Sequence, residues 1–460
     1  MNPRRRDPIS TARAGDPPAP GPARAFPAEL LAARRDRLLQ RLGDGIAIVP
    51  AAPELRKSRD TEVLYRQSSD LYYLTGMLEP DAVAVLTPHD PDHRFTIFVR
   101  PRDPGREAWS GPRMGVEGAA EALGADSAYP IDELPDRLPG LLREADRIHY
   151  PISAVRQLDT FVAESLVRAR SDRQRSGAGP TGLVDLEAVT GELRVIKDAE
   201  EVERIRTAAD IAVAGHLAAM QRARPGTGEW EIQAVLESTF RAHGATGPAF
   251  PSIVGSGANA TVLHYVANQS RVSEGDLVLI DAGAEWGMYC SDITRTVPAS
   301  GRFSASQRDL YDIVLAAENA GIHAAIPGAA IADVHHAAIR TLAAGLIDMG
   351  VLEDASPDDA IEAGSIKRFY MHQTSHWLGL DVHDVGLYER AGEPVELEPG
   401  MVLTVEPGLY IPADADDVPD AFRGIGIRIE DDVIVTPDGN ETLTRGVPVE
   451  PSEIERFIGT

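Results

Sequence analysis

The sequence contains little cysteine and little lysine. Cys290 is its one cysteine in 460 residues, so no intramolecular disulfide can form and an oxidising compartment is not indicated. Lysine occurs three times (Lys57, Lys197 and Lys367) among 45 basic residues, which, with the abundance of alanine, suggests codon bias more than a function. No uninterrupted apolar run approaches the roughly 18 residues of a membrane span. These absences predict a cytoplasmic protein.

Positive charge is also scarce. Lys and Arg number 45 against 71 Asp and Glu, a formal net charge of −26. Nucleic acids and anionic membrane surfaces bind to basic patches, so this composition argues against both as partners. Residues 1–26 are rich in Arg, Pro, Ala and Gly, and no apolar stretch follows their arginines. A signal peptide is therefore not expected, and we predict a disordered tail.

The length and hydrophobic content allow more than one domain. A chain of 460 residues with 43% hydrophobic residues can form two or three domains with large cores. Short apolar runs, turn residues and longer helical patterns predict an α/β first domain with a mixed sheet. A polar, glycine-rich linker at 171–182 marks a boundary, and we place the two domains at 27–188 and 189–460. The strands are predicted at residues 45–50, 71–75, 82–86 and 95–99, and the helices around 117–123, 138–145 and 158–170.

Acidic residues follow several apolar strands of the second domain. The domain opens with a predicted helix capped by Asp198, with Glu201 three residues later as in a capping box. Further along, three predicted strands end in Asp281, Glu406 and Glu430. A carboxylate at the end of a buried strand is costly unless it is paired or bound to a metal. Each of these alone is better explained as a capped or salt-bridged residue.

A fourth carboxylate changes this interpretation. After a turn, the chain returns through Asp292, and a hairpin of that length can place Asp281 and Asp292 close together. Four such carboxylates beside a histidine cluster favour a two-metal site with bridging carboxylates. The oxygen-rich set favours Mn²⁺ first, with Co²⁺ or Zn²⁺ as alternatives.

The histidine cluster lies between residues 372 and 383. It contains three of the twelve histidines of the chain: His372, His376 and His383. Imidazole ligates metals and moves protons near neutral pH. The first two are four residues apart, so a helical turn could bring them together. Beyond Gly379, the alternation at 380–383 predicts a half-buried strand. Chance clustering of hydrogen-bonded structural histidines is the alternative.

One further histidine, His264, stands apart from this cluster. It follows a glycine-rich run at 255–259 that lacks the Gly-Lys-Ser/Thr ending of a phosphate-binding loop, and the surroundings are acidic. Phosphate binding is therefore not expected. As a lone histidine, His264 is more simply explained as structural.

Taken together, these motifs resemble those of the pita-bread metallopeptidases, which include methionine aminopeptidase, prolidase and aminopeptidase P. The likeness is closest to bacterial aminopeptidase P and covers about residues 27–455. It implies an α/β (α+β) fold, with a creatinase-like N-terminal domain and mixed sheet followed by a pita-bread catalytic domain. The motifs that carry it are Asp281-Ala282-Gly283, Ser291-Asp292-Ile293-Thr294-Arg295-Thr296, the segment from Ser375 to Asp384, Met401 to Gly408, Gly424 to Asp432, and, in the first domain, Tyr65 to Asp70 and Tyr73 to Gly76.

The resemblance also implies roles for individual residues. His264, His372 and His383 line the site as substrate-binding and proton-handling groups, and Glu406 carries a proton while remaining a ligand. The implied ligands of two divalent metal ions are Asp281, Asp292, His376, Glu406 and Glu430.

Residues around the metal site follow from the same resemblance. Tyr410 and Arg428 surround the ligands and contact the substrate. From the first domain, Asp60 and Trp109 fall where the family directs residues towards the cleft. The chain departs from the family at Gln373, where the family often has Gly or another small residue.

The activity that the resemblance implies is release of the N-terminal residue from peptides with proline in the second position. We expect this metalloenzyme to be a homo-oligomer, either a dimer or a tetramer. Three alternatives remain. A prolidase shares the metal motif but cleaves Xaa-Pro dipeptides. A metal-free enzyme of the same fold is disfavoured because all five ligand positions are filled. A non-catalytic binding module of the same fold is disfavoured for the same reason and because the proton-handling histidines are also present.

Overall fold

The computed structural model describes residues 21–459, so most of the tail predicted at 1–26 lies outside the described residues. The chain divides into two compact units. Of the described residues, the N-terminal unit comprises 25–194, and the C-terminal unit comprises 21–24 and 195–459. Each unit has its own hydrophobic core.

The N-terminal unit is built on one mixed six-stranded sheet. The apolar run at 46–49 forms a central strand that is fully buried, as expected for a strand covered on both faces. The strands of this unit are β1 Ile46–Pro50, β2 Arg56–Ser58, β3 Thr61–Glu62, β4 Val83–Leu86, β5 Phe95–Val99, β6 Ser127–Pro130, β7 Arg147–His149 and β8 Gly182–Val184. The helices are α1 Ala28–Leu42, α2 Ser69–Thr75, α3 Pro104–Ser110, α4 Gly115–Leu123, α5 Leu134–Leu141, α6 Arg156–Ser176 and α7 Glu187–Arg194.

The strand order in this sheet is β6-β5-β4-β1-β7-β8. The pairs β1–β4 and β4–β5 are antiparallel, and β5–β6, β1–β7 and β7–β8 are parallel. Because α6 runs through Ser176 and β8 belongs to this sheet, the stretch at 171–182 does not separate the two units. The division falls after Arg194, at the end of α7 and beyond the predicted domain end at residue 188.

The strand predicted at 71–75 is wrong, because these residues form helix α2. The Ser68 hydroxyl accepts a hydrogen bond from the Leu71 backbone N–H and caps the start of the helix. Gly76 ends it in the left-handed region with φ 70°. All side chains of the helix except that of Asp70 are buried, and so uniform an apolar run carries no period that separates helix from strand.

The C-terminal unit combines small sheets with long helices. Its predicted opening is confirmed, because Asp198 and Glu201 form a capping box at the start of its first helix. Its strands are β9 Gly247–Pro248, β10 Ile253–Ser256, β11 Leu277–Asp281, β12 Ala284–Trp286, β13 Tyr289–Cys290, β14 Thr294–Pro298, β15 Glu389–Arg390, β16 Glu393–Pro394, β17 Val402–Val405, β18 Gly408–Tyr410, β19 Gly426–Arg428, β20 Asp431–Thr436 and β21 Gly439–Thr442. Its helices are α8 Ala199–Arg222, α9 Glu229–Ala242, α10 Ala305–Ala324, α11 Ile331–Asp348, α12 Pro357–Ala363 and α13 Pro451–Ile458.

Three pairings connect the strands that matter for the site. The sheet β10-β11-β14 is antiparallel, and so is the sheet β17-β20-β21. An isolated bridge between Thr294 and Glu430 links β14 to the residue that precedes β20. The apolar residues of β10, β11 and β14 pack with α8 to α11 into one large core, and those of β17 and β20 pack in a second cluster. Within residues 21–459, we find no helix that is both long and apolar enough to cross a membrane.

Candidate active site

Strand register brings the four predicted carboxylates to one place. Asp281, the last residue of β11, pairs with Thr294 at the start of β14, and Asp292 lies two residues before Thr294. Thr294 in turn bridges to Glu430. The residue after Glu430 pairs in β20 with the residue before Glu406 in β17. A continuous series of backbone pairs therefore positions all four side chains.

The segment that carries the three histidines of the cluster, residues 372–383, is extended up to residue 378, so the predicted helical turn is wrong. Its backbone pairs alongside β17: the Thr404 N–H donates to the His376 carbonyl, and the Glu406 N–H donates to the Thr374 carbonyl. These carbonyls are therefore not free to accept the hydrogen bonds of a helix. Alternate side chains of an extended segment share a face. His372 and His376 accordingly both approach the carboxylate of Glu406, at 3.6 Å each.

The half-buried strand predicted at 380–383 is also absent from the structure. These residues form successive bends, in which the Gly379 N–H donates to the Asp381 carbonyl and the Asp384 N–H to the Trp377 carbonyl. A buried ion pair holds the far end, because Lys197 Nζ lies 3.0 Å from Asp384 Oδ2 and both side chains are 1% exposed. The alternation of apolar and polar residues at 380–383 therefore reflects this local packing and not strand pairing.

Three of the five predicted ligands form a compact donor set. Asp292, His376 and Glu430 each offer one ligand atom, and these atoms lie within 4.8 Å of one another. His376 Nε2 lies 3.6 Å from both Asp292 Oδ2 and Glu406 Oε1. Asp281 Oδ1 and Asp292 Oδ1 are buried and accept no hydrogen bond from the described residues. Orphaned carboxylate oxygens around one imidazole fit divalent metal ions.

The electrostatics of the cluster lead to the same conclusion. Burial raises the pKa of Asp292 and Glu430 well above the usual range of carboxyl groups, and the neighbouring carboxylates raise it further. Burial also raises the pKa of Glu406 to about 7. A divalent cation bound among these groups would offset the cost of burying the carboxylates and the repulsion between them. It would thereby keep the oxygens ionised.

A hydrogen-bonded chain lies beside the cluster. Arg428 donates through Nη2 to Asp281 Oδ2 at 2.5 Å and through Nη1 to the Tyr410 hydroxyl at 2.8 Å. The Tyr410 hydroxyl is 2.9 Å from His372 Nε2, while His372 Nδ1 is 2.8 Å from the Gln373 carbonyl. Burial lowers the pKa of His372 to about 4, so the ring is neutral at physiological pH. It donates through Nδ1 and accepts from Tyr410 through Nε2.

The cluster forms part of the wall of a cavity of about 600 Å³. His264 and His383 also line this cavity, and the His383 ring lies edge-on to His376 with ring centroids 4.4 Å apart. Burial lowers the pKa of His383, as do the nearby imidazoles of His376 and His264. The apolar part of the wall consists of Phe250, Pro251, Ile253, Leu263, Val266, Val382 and Tyr388.

Two residues that sequence reasoning missed support the carboxylates. The Thr294 hydroxyl donates to Glu430 Oε2 at 2.6 Å and accepts from Arg428 Nε at 3.2 Å. The Asp432 carboxylate accepts the backbone N–H of Asp292, at 3.1 and 3.2 Å. Both residues lie within the motifs that carry the family resemblance, and their proximity to the ligands in sequence gave the only signal.

Asp60 and Trp109 belong to the N-terminal unit. Asp60 is exposed in the turn between β2 and β3, and Trp109, in α3, is 93% exposed. Their predicted roles in the cleft stay predictions.

Comparison with known proteins agrees with this geometry. Residues 203–437 match metallopeptidase family M24, and residues 31–149 match the aminopeptidase P N-terminal domain. The Xaa-Pro aminopeptidase of Escherichia coli K12 is 42% identical over 427 residues, or 92% of this chain and 96% of that protein. That of Haemophilus influenzae is 40% identical over 434 residues, or 94% and 98% of the two chains.

Solved structures give the same result. An aminopeptidase of Pseudomonas aeruginosa superposes with a TM-score of 0.91 at 45% identity, covering 95% of this chain and 98% of its own. Zinc-substituted Escherichia coli aminopeptidase P in complex with product superposes with a TM-score of 0.90 at 40% identity, covering 95% and 99%. The predicted mixed-sheet N-terminal domain and pita-bread catalytic domain are thereby confirmed. The chain belongs to the aminopeptidase P group of metallopeptidase family M24.

Proposed function

We propose that this protein is a metal-dependent exopeptidase that releases the N-terminal residue from peptides with proline in second position. The observation that carries the proposal is the convergence of five metal-ligand candidates on a cavity that is also lined by three further histidines, His264, His372 and His383. Two relatives at 40% and 42% identity that cover nearly the whole chain are Xaa-Pro aminopeptidases, which supports this substrate class.

The five ligand candidates suit two divalent ions. Carboxylates outnumber imidazole four to one in the set, which favours Mn²⁺ over Co²⁺ or Zn²⁺. When bound, the two ions lower the pKa of water, polarise the scissile carbonyl and neutralise the developing negative charge. The ligands are Asp281, Asp292, His376, Glu406 and Glu430.

The other side chains handle protons and position the peptide. Glu406 takes a proton from water and delivers it to the leaving nitrogen while it remains a ligand. His383 and His264 donate hydrogen bonds to the oxygen that becomes negative. Burial lowers the pKa of His372, and the Arg428 guanidinium lowers it further, so the neutral ring orients the substrate without adding charge.

Selectivity for proline follows from its tertiary nitrogen. A peptide bond to proline has no N–H, so a crowded apolar wall can accept the ring and exclude residues that need space for an N–H and a side chain. Phe250, Leu263 and Tyr388 are parts of such a wall. A free α-amine docked against a metal or Asp60 would restrict cleavage to the first peptide bond.

The alternative within the family is a prolidase, which cleaves the dipeptide. The match of residues 31–149 to the aminopeptidase P N-terminal domain favours longer peptides. Trp109 and Asp60, as exposed residues of this domain, are the candidates for contacts with them.

A mass-spectrometric time course on an Arg-Pro-Pro-containing peptide beside a Gly-Pro dipeptide tests the proposal. We expect release of the N-terminal arginine, slow cleavage of an Xaa-Ala control, and no cleavage of an N-acetylated peptide. Cleavage of the dipeptide alone would make the protein a prolidase. Cleavage of neither, with both metals bound, would favour a binding module. Sedimentation and cell fractionation would test the expected dimer or tetramer and the expected cytoplasmic location.

A further inference from the structure

One buried carboxylate outside the metal cluster collects an unusual number of hydrogen bonds. Glu229, the first residue of α9, is 0% exposed. Its Oε1 accepts from the Ser256 N–H at 2.8 Å, from the Ser256 hydroxyl at 2.7 Å and from Asn259 Nδ2 at 3.0 Å. Its Oε2 accepts from the Tyr265 hydroxyl at 3.0 Å and from the Ser270 N–H at 2.8 Å. Five donors therefore satisfy a single carboxylate.

All five donors belong to one stretch of chain, residues 256–270, which connects β10 to β11 and carries His264. Burial acts to raise the pKa of Glu229, but the hydrogen bonds outweigh it and the pKa is lowered, so the carboxylate remains ionised. Charge-assisted hydrogen bonds of this kind are shorter and stronger than neutral ones. The stretch is therefore fastened at both ends and in its middle to one point of α9.

A second anchor lies one helical turn further along α9. Asn268, in the left-handed region with φ 47°, donates through Nδ2 to Gln233 Oε1 at 3.0 Å and to the Ser252 carbonyl at 2.7 Å. Its Oδ1 accepts the Val254 N–H at 2.9 Å. Glu229 and Gln233 are four residues apart and share a face of the helix. One face of α9 thus holds the whole segment.

His264 itself has no comparable attachment. Its side chain is exposed, and its ring makes no hydrogen bond to any residue within the described range. Its carbonyl accepts the Val266 N–H in a local turn. The position of the imidazole at the cavity wall therefore depends on the anchoring of residues 256–270.

We propose that Glu229 is a positioning residue for His264, acting through the segment 256–270. It does not touch the cavity, and its role in the reaction rests on the function proposed above for His264. A misplacement of about 1 Å at a reacting group can cost about 100-fold in rate, so loosening this segment should be measurable.

The test is a double-mutant cycle with Glu229→Gln and His264→Ala on an Xaa-Pro peptide. Glutamine keeps one acceptor oxygen but turns an NH₂ group towards donors. We expect Glu229→Gln to lower kcat about 10- to 100-fold with bound metal unchanged, and to lower it less than about twofold when His264 is already alanine. Equal effects in both backgrounds would overturn the proposal.

A milder variant and a matched control keep the test valid if Glu229→Gln is unstable. Tyr265→Phe removes one hydrogen bond to Glu229 and retains the ring, so a smaller, equally non-additive loss is expected. Glu231→Gln changes a neighbouring glutamate of the same helix turn, which pairs on the surface with Arg222, and should leave kcat unchanged. A comparable loss with Glu231→Gln would contradict the proposal.

Hydrogen exchange gives a readout that does not depend on the substrate. Amides of residues 256–270 should exchange faster in Glu229→Gln than in the wild type or in Glu231→Gln, with other peptides unchanged. Unchanged exchange in this segment would overturn the proposal even if the protein cleaves Xaa-Pro peptides. If the wild type cleaves neither test peptide while the segment exchanges faster in the variant, the proposed function fails but the anchoring by Glu229 stands.

Discussion

The carboxylates and the histidines of this site are held in different ways. Asp281, Asp292, Glu406 and Glu430 lie on or next to strands, where consecutive backbone pairs fix them relative to one another. The histidine segment pairs with β17 only up to residue 378 and then continues through bends. The carboxylates are therefore determined by sheet register, whereas the histidines depend on individual hydrogen bonds and ion pairs. Changes to the two groups should have separable effects on metal binding and on turnover.

The largest effect should come from removing a carboxylate ligand. Asp292→Ala, or chelation of the wild type, should abolish activity, because the remaining side chains cannot hold both ions. Mn²⁺ added to the chelated wild type should restore activity at roughly two ions per chain. The measurements are peptide turnover and metal content on the same samples. Full activity in metal-free protein, or a wild-type rate for Asp292→Ala, would refute the two-metal assignment.

Removal of a histidine should leave the metals in place. His383→Ala should lower kcat by about 10²–10³, the usual cost of a lost hydrogen-bond donor to a developing oxyanion, with metal content retained. Elemental analysis beside steady-state kinetics would check this. Loss of metal from the variant would identify His383 as a ligand and make the assignment of His376 wrong.

An intermediate effect is expected from the ion pair that ends the histidine segment. Lys197→Met leaves the carboxylate of Asp384 buried without its ammonium group, which should cost about 3–5 kcal/mol in the free energy of unfolding. Turnover should fall less than in His383→Ala, because His383 is displaced but present. Denaturant unfolding and kinetics of Lys197→Met, alone and combined with Asp384→Leu, provide the check. Stability that the second substitution fails to recover would show that the charge imbalance is not the cause.

The smallest effect should come from substitution of Gln373, the position at which the family often has Gly or another small residue. Its side chain is exposed at the cavity wall, and its carbonyl, which any residue supplies, accepts from His372. Gln373→Gly should therefore change kcat/KM by no more than about threefold, within the range of surface substitutions. A panel of Xaa-Pro peptides of different lengths is the measurement. A larger change would give the amide a role in substrate binding.

The difference between the two groups also determines how far the sequence could predict the site. Apolar runs that end in Asp281, Glu406 and Glu430 predict both a strand and a functional carboxylate at its end. The reason is that a buried acid at a strand end has to be paired or bound to a metal. The spacing of His372 and His376 suits a helical turn and an extended strand equally, since residues four apart share a face in both. Pairing with β17 decides between the two, and it is a tertiary interaction.

The same reasoning applies to the misassigned and missed residues. The run at 71–75 is apolar up to Thr75 and buried throughout, so its helical caps at Ser68 and Gly76 carried the only signal against a strand. Thr294 and Asp432 became visible only once strand pairing placed them against the carboxylates.

The position of Lys197 in the chain has a practical consequence for protein engineering. It lies two residues after the start of the C-terminal unit and before the region that matches metallopeptidase family M24, which begins at residue 203. A fragment cut to that match would keep every metal-ligand candidate and all three histidines of the site. It would nevertheless lack the ammonium group that fixes Asp384 and the backbone pairing of residues 196 and 197 with Met401 and Gly400. Such a fragment should bind metal and yet turn over poorly, so an excised catalytic unit should begin at Val195 or earlier.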